Sequence, residues 1–262
     1  MRLPLYQIDA FVTGEAFSGN PAAVCPLEAW LPDALMQAIA AENNLSETAF
    51  FAPEEGEYRL RWFTPRTEVD LCGHATLAAA HVVFRFLAPR LRRVSFRTKK
   101  AGTLAVSRDG DLLTLDFPAR PALPCPPPEG LNAALGRAPA AVLAARDYLA
   151  VYDAPADVAA LAPDFAALAR LDRFAVIVTA AAGGEYDFVS RFFAPAQGVD
   201  EDPATGSAHC TLIPYWAARL GKSRLTARQI SRRGGILYCE LIGERVAIAG
   251  RARLYLEGTI AV

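Results

Sequence analysis

No run in this 262-residue chain is long and apolar enough to span a bilayer, which takes about twenty consecutive apolar residues. The first residues, Met1-Arg2-Leu3-Pro4-Leu5, are followed by Gln7 and Asp9 before an apolar segment can form, so no secretory leader is expected. The cysteines Cys25, Cys72, Cys125, Cys210 and Cys239 are odd in number and widely spaced. No pair has zinc-ligand or thioredoxin spacing, and scattered free thiols fit a reducing compartment. An excess of one charge is also missing. The 27 basic and 28 acidic residues leave a net charge of −1, which gives no reason to expect nucleic acid or a membrane as a partner. There is no Walker loop and no strand-linked Gly-x-Gly-x-x-Gly, so nucleotide cofactors find no support. These absences point to a cytoplasmic protein acting on a small molecule.

What the chain does have is an internal echo. Arg61-Trp62-Phe63-Thr64-Pro65 aligns with Arg191-Phe192-Phe193-Ala194-Pro195 at an offset of 130, and Val69-Asp70 then falls on Val199-Asp200. Over residues 61–78 the alignment gives six identities in eighteen positions. A unit this long is no solenoid repeat; it predicts two similar domains, with equivalent loops facing one cleft. Hydrophobic residues make up 53% of the chain, enough for two cores.

Strands are expected at residues 3–12, 22–25, 48–51 and 58–63, and a helix from Pro32 to Glu42, ended by Asn43-Asn44. Ala75 to Phe84 is apolar nearly all round, the pattern of a helix buried on every side, and Ser207 to Ile213 is its counterpart. Strand–turn–strand patterns follow each helix. Six prolines fall within Pro118–Gly130, a stiff and extended stretch. The expected organisation is a first domain over 1–118 completed by a final strand at 253–262, a linker over 119–129, and a second domain over 130–252. Hairpin signals with few helices argue α+β.

Candidate site residues lie in the loops before the two apolar helices, Cys72-Gly73-His74 and Asp202-Pro203-Ala204-Thr205-Gly206-Ser207. Helix N-termini carry unpaired N–H groups and attract anions, so a small carboxylate is the expected substrate, approached closely by Gly73 and Gly206. Asp202 reads equally as a helix cap or as a substrate contact, and Ser207 taken alone reads first as a cap. Glu47 shares one face of an extended segment with Leu45, Ala49 and Phe51. Desolvation on such a face moves a carboxyl toward neutrality, as general acid/base chemistry needs. His74 could shuttle a proton or bind a carboxylate. Cys72 reads first as a small core residue; its spacing of two from His74 would put the pair on different faces if both are helical, though a loop could bring them together. His209, Cys210, His74 and Asp202 lack metal-ligand spacing, so no metal is expected. The basic segment Arg90–Lys100 alternates like a half-solvated strand rather than an RNA-binding surface.

Gly19-Asn20-Pro21-Ala22-Ala23-Val24, Asn44-Leu45-Ser46-Glu47-Thr48, Phe63-Thr64-Pro65, Cys72-Gly73-His74-Ala75-Thr76 and Asp202-Pro203-Ala204-Thr205-Gly206-Ser207-Ala208, in this order, resemble the PhzF (phenazine biosynthesis-like) family over essentially the whole chain. The resemblance implies a diaminopimelate epimerase-like fold: two pseudo-symmetric domains, each a mostly antiparallel strand barrel round a central apolar helix. It implies a homodimer and a cofactor-free isomerase. In the family's phenazine enzyme a carboxylate shifts a proton within dihydro-hydroxyanthranilate. By motif, Glu47 would be that acid/base, with His74 and Asp202 as catalytic partners and Asn20, Gly73, Gly206 and Ser207 as substrate-binding positions. Epimerases of this fold pair two cysteines. Here Cys72 matches the first, while Asp202-Pro203 stands where a second would be. An epimerase using Cys72 and an inactive carboxylate-binding protein are the alternatives.

Overall fold

Arg2–Ala10 and Asn20–Pro26 form the first two strands, and Asp33–Asn43 the first helix. Asn44 ends that helix in the left-handed region, its N–H returning to the Ala40 carbonyl, a C-terminal geometry that asparagine tolerates. The computed structural model describes residues Met1–Val262. The chain divides into two units, Met1–Asp116 with Ala249–Val262, and Phe117–Ile248.

In the first unit the strand order is Arg2–Ala10, Asn20–Pro26, Glu47–Glu54, Glu57–Phe63, Arg93–Arg97, Thr103–Asp109, Leu112–Pro118. Neighbours are antiparallel except at two places. Asn20–Pro26 is parallel to Glu47–Glu54, and Glu57–Phe63 to Arg93–Arg97. Parallel neighbours need a long crossover; Asp33–Asn43 lies in the first and Gly73–Val82 in the second. In the second unit the order is Leu123–Pro124, Ala141–Ala144, Tyr148–Tyr152, Val176–Ala181, Phe188–Phe193, Arg224–Gln229, Gly235–Ile242. Tyr148–Tyr152 is parallel to Val176–Ala181, and Phe188–Phe193 to Arg224–Gln229. Gly206–Leu220 lies in the second of these crossovers. The final strand, Arg245–Ala261, starts in the second unit and continues into the first, where it pairs antiparallel with Arg2–Ala10.

The proline-rich stretch is not free chain. Leu123–Pro124 pairs with Leu143 and Ala144, and Cys125 packs against the second unit's core. Proline donates no amide hydrogen, so it fits a strand at the end of the sheet order, where one side needs no partner.

Two arginine forks mark the repeated motif. Arg61 Nε and Nη2 donate to Glu68 at 2.7 and 2.9 Å. Arg191 Nε and Nη2 donate to Glu201 at the same two distances. Each guanidinium also covers the phenylalanine two residues on, Phe63 or Phe193. The carboxylates, however, stand 133 apart (201 less 68), as do the helix starts Gly73 and Gly206. The offset of 130 therefore gains three residues after the arginines, where a short 3-10 turn, Pro195–Gln197, lies in the second unit.

Gly73–Val82 has nine of its ten residues buried, which leaves it no solvent face. Gly206–Leu220 extends well past the expected Ile213 and contains Pro214. A proline inside a helix deprives the carbonyl four residues back of its donor. That carbonyl, Cys210, instead accepts the Arg120 N–H at 2.8 Å.

Candidate active site

Three elements assemble a polar cluster in the first unit. Asn20 and Glu47 each open a strand, and His74 lies in the first turn of Gly73–Val82. Because the two strands are parallel, with Ala22 opposite Glu47, their starts fall at one edge. Gly19 fixes the entry to Asn20. Its φ is +78°, and a Cβ there would stand 2.4 Å from the Ala10 carbonyl oxygen, so the position requires glycine.

His74 Nε2 stands 3.1 Å from Glu47 Oε2. The distance is that of an ion pair, but the alignment is not that of a hydrogen bond, and Glu47 Oε2 is buried with no hydrogen-bond donor. On the other side of the ring, Asn20 Nδ2 lies 3.1 Å from His74 Nδ1, and Ser46 Oγ donates to Asn20 Oδ1 at 3.3 Å. Asn20 thus fixes the ring with its Nε2 edge toward Glu47.

Cys72 joins this cluster, contrary to its sequence spacing. It is the N-cap, extended at φ −142°, ψ 111°, so helical facing does not apply to it. Its Sγ lies 3.5 Å from His74 Nδ1 and 3.9 Å from Nε2. Burial pushes the Cys72 thiol up to about 11, with the Glu47 carboxylate adding to the effect. At neutral pH it is a thiol. Burial alone would lower His74, but the negative charge of Cys72 and Glu47 outweighs it and holds the imidazole well above its ordinary value. With Cys72 protonated at neutral pH, Glu47 is the partner that acts there.

Glu47, Cys72 and His74 place one donor atom each within 4.8 Å of one another. The donor types suit zinc, but a ligating sulfur must be a thiolate, which the burial of Cys72 opposes.

The second unit builds a different arrangement. The N-cap position of the Gly206 helix is Thr205, and the Asp202 carboxylate accepts the Thr205 hydroxyl. Thr205 makes no side-chain cap bond. Gln229, fully buried, fastens this loop: its Oε1 accepts the Thr205 N–H at 2.8 Å and its Nε2 donates to the Asp202 carbonyl at 2.7 Å. Ser207 is no cap either; its hydroxyl accepts from Arg146 Nη2 at 3.3 Å. Arg146 is held by Asp147 in a two-point fork, 2.9 Å at each contact. Neither Cys72 nor Thr205 caps its helix through a side chain, and a helix N-terminus favours an anion.

Of the residues singled out in the sequence, Asn20, Glu47, Gly73 and His74 come together in the first unit, with Cys72. Asp202, Gly206 and Ser207 belong to the second. Gln229, Arg146 and Asp147 were not singled out. For Gln229 the signal was available, since it falls with Leu225 and Ala227 on the buried alternation of its strand.

The sheet-rich α+β fold is also found in an epimerase. A hydroxyproline epimerase from Agrobacterium vitis, solved with bound trans-4-OH-L-proline, matches 100% of this chain and 93% of its own with a TM-score of 0.62. At 12% identity that is a likeness of fold alone. The family model described as phenazine biosynthesis-like protein matches residues 8–258. A PhzF-family protein of Enterococcus faecalis is 47% identical, with a TM-score of 0.96 over the whole of both chains. An uncharacterized isomerase of Pseudomonas aeruginosa is 56% identical over 99% of each chain. The chain belongs to the phenazine biosynthesis-like family.

Proposed function

We propose that this protein is an isomerase that shifts a proton within a small carboxylate substrate, using Glu47 as the acid/base and no cofactor. The observation that carries the reading is Glu47 Oε2, buried without a donor and 3.1 Å from His74 Nε2. A carboxylate oxygen so placed can accept a proton from a substrate C–H next to an electron-withdrawing group. The electron pair left behind delocalises, the proton on Glu47 exchanges with solvent, and Glu47 returns one proton to another carbon of the substrate. The sum is an isomerisation with no atom gained or lost. His74, held by Asn20, offsets the changing charge on Glu47. The Gly73 amide, at a helix start whose N-cap makes no side-chain bond, suits a substrate carboxylate, and Gly206 is a binding position by the family resemblance. Asn20 and Ser207 complete its binding, and Asp202 assists catalysis, roles that rest on the family resemblance. The same resemblance supports a homodimer, and the free, scattered cysteines support a cytoplasmic location. The common order of strand pairings and the matching arginine forks support a reading of the two units as pseudo-symmetric copies, each with an apolar helix at its centre.

The test is solvent deuterium incorporation into a panel of small unsaturated amino and hydroxy acids, dihydro-hydroxyanthranilate among them. Wild type should label one of them at carbon. Glu47→Gln keeps the shape but cannot cycle a proton, so turnover should fall by about 10²–10⁴-fold while binding persists. Near-normal exchange in Glu47→Gln would remove Glu47 as the base.

A further inference from the structure

The first unit contains a cavity of about 700 Å³ that none of the candidate site residues lines. It sits at the far end of the helix that carries His74: His81, from the last turn of Gly73–Val82, contributes to its wall. Just beyond, Val83–Leu87 is a π-helical turn that supplies Phe84 and Arg85. Such turns in a helical run are costly and recur at functional positions.

The charges on the wall are one-sided. Arg85, Arg108, Arg251 and Arg253 line the cavity against a single carboxylate, Asp111. Two of these arginines are fixed without being neutralised. Arg108 donates to the carbonyls of Phe84, Pro89 and Leu91, and Arg253 to those of Gly14 and Glu15. Carbonyls orient a guanidinium but do not cancel its charge. Two further polar atoms, Arg108 Nε and His81 Nε2, are buried with no hydrogen-bond partner. Burial, and then the neighbouring charges of Arg85 and Arg108, lower His81 to about 4. At neutral pH the ring is therefore uncharged and can offer one nitrogen as a donor. Val12, Phe84 and Leu113 add an apolar wall.

We infer that this cavity is a second binding site, distinct from the Glu47 cluster, for a phosphate-bearing organic molecule. The volume is that of a small-molecule site. Several guanidinium groups match a multiply charged tetrahedral oxyanion better than a planar monoanion. The apolar wall accommodates the organic part, which inorganic phosphate lacks.

The experiment is calorimetric titration of the full chain with phenyl phosphate, using inorganic phosphate and benzoate as matched probes. Arg85 is the variant of choice because it is exposed and its recorded contact is with the Phe86 ring, so Arg85→Glu should fold normally. Wild type should bind phenyl phosphate at one site, more tightly than either probe and more weakly as salt rises. Arg85→Glu should lose about tenfold or more, the worth of one charge-assisted contact and its reversal. Glu47→Gln should bind like wild type. The inference is overturned by equal affinity in Arg85→Glu, by benzoate binding as tightly as phenyl phosphate, by loss of binding in Glu47→Gln, or by no binding at millimolar concentration.

Discussion

Glu47 Oε2 is buried with no hydrogen-bond donor, and the His74 imidazole 3.1 Å away is the charge that faces it. Cys72 is the competing base, and the two are separable. A thiol held up at about 11 by burial is a poor proton acceptor at neutral pH. Cys72→Ser should accordingly keep most of the turnover; complete loss in a correctly folded variant would put the epimerase reading first. The histidines set opposite dependences of stability on pH. His209 is fully buried, its Nδ1 2.8 Å from the Thr205 carbonyl, and burial lowers it to about 4. The unfolded chain, with histidine near about 6.5, then binds the extra proton between those values, so stability is complete above about 6.5 and falls on acidification toward 4. His81 acts in the same direction. His74, raised instead, contributes stability below about 6.5 that is lost as pH rises through its folded value. His209→Asn can still reach the Thr205 carbonyl but does not titrate. Its slope of unfolding free energy against pH should drop by up to about 1.4 kcal/mol per pH unit in that acid window. An unchanged slope, from urea melts at several pH values, would contradict this assignment.

At the scale of elements, positions without a side chain fix how strands meet. Phe11 follows the first strand with φ at 61° and is completely buried, and its ring lies over Gly250 of the last strand. A Cβ at Gly250 would stand 2.3 Å from Phe11 Cδ1. Phe11 has no solvent into which to turn, so Gly250→Ala should destabilise by about 1–3 kcal/mol, the usual cost of overpacking. Gly183→Ala is the control: nothing lies within 4 Å of the added atom and φ is outside the left-handed region. It should be neutral or stabilising by about 0.4–1 kcal/mol. Denaturation midpoints of the two variants decide the point. These elements also show what the sequence could reveal. The buried helices were legible because small apolar residues cover every face of Ala75–Ala80. Asn20, Glu47 and His74 were legible as motifs, but the approach of Cys72 to His74 was not. It depends on a single residue being extended rather than helical, which no periodicity encodes. The Gln229 lock was missed because it joins residues 24 and 27 positions apart, beyond the reach of local pattern.

For the whole molecule, the last strand carries an unequal share. Arg2–Ala10 pairs with Asn20–Pro26 on one side and with Ala252–Ala261 on the other. Removing Ala249–Val262 would strip the first strand of that second partner and uncover Phe11, whose ring packs on Gly250. It would remove nothing from the second unit, which ends at Ile248. That unit keeps its own core, with Leu131, Ala150, Val178 and Phe193 fully or almost fully buried. An exposed strand edge exchanges its amides and invites pairing with other chains. A chain ending at Ile248 should therefore show faster amide exchange in Arg2–Ala10 and Asn20–Pro26, near wild-type protection in Val176–Ala181 and Phe188–Phe193, and a greater tendency to associate. The strand Asn20–Pro26 begins with the residue that holds His74, so the truncated chain should also lose turnover out of proportion to its residual fold. Hydrogen exchange followed by mass spectrometry reads both units in one measurement. Equal loss of protection in both would show that the final strand stabilises the chain as one cooperative body, and the inequality argued here would fall.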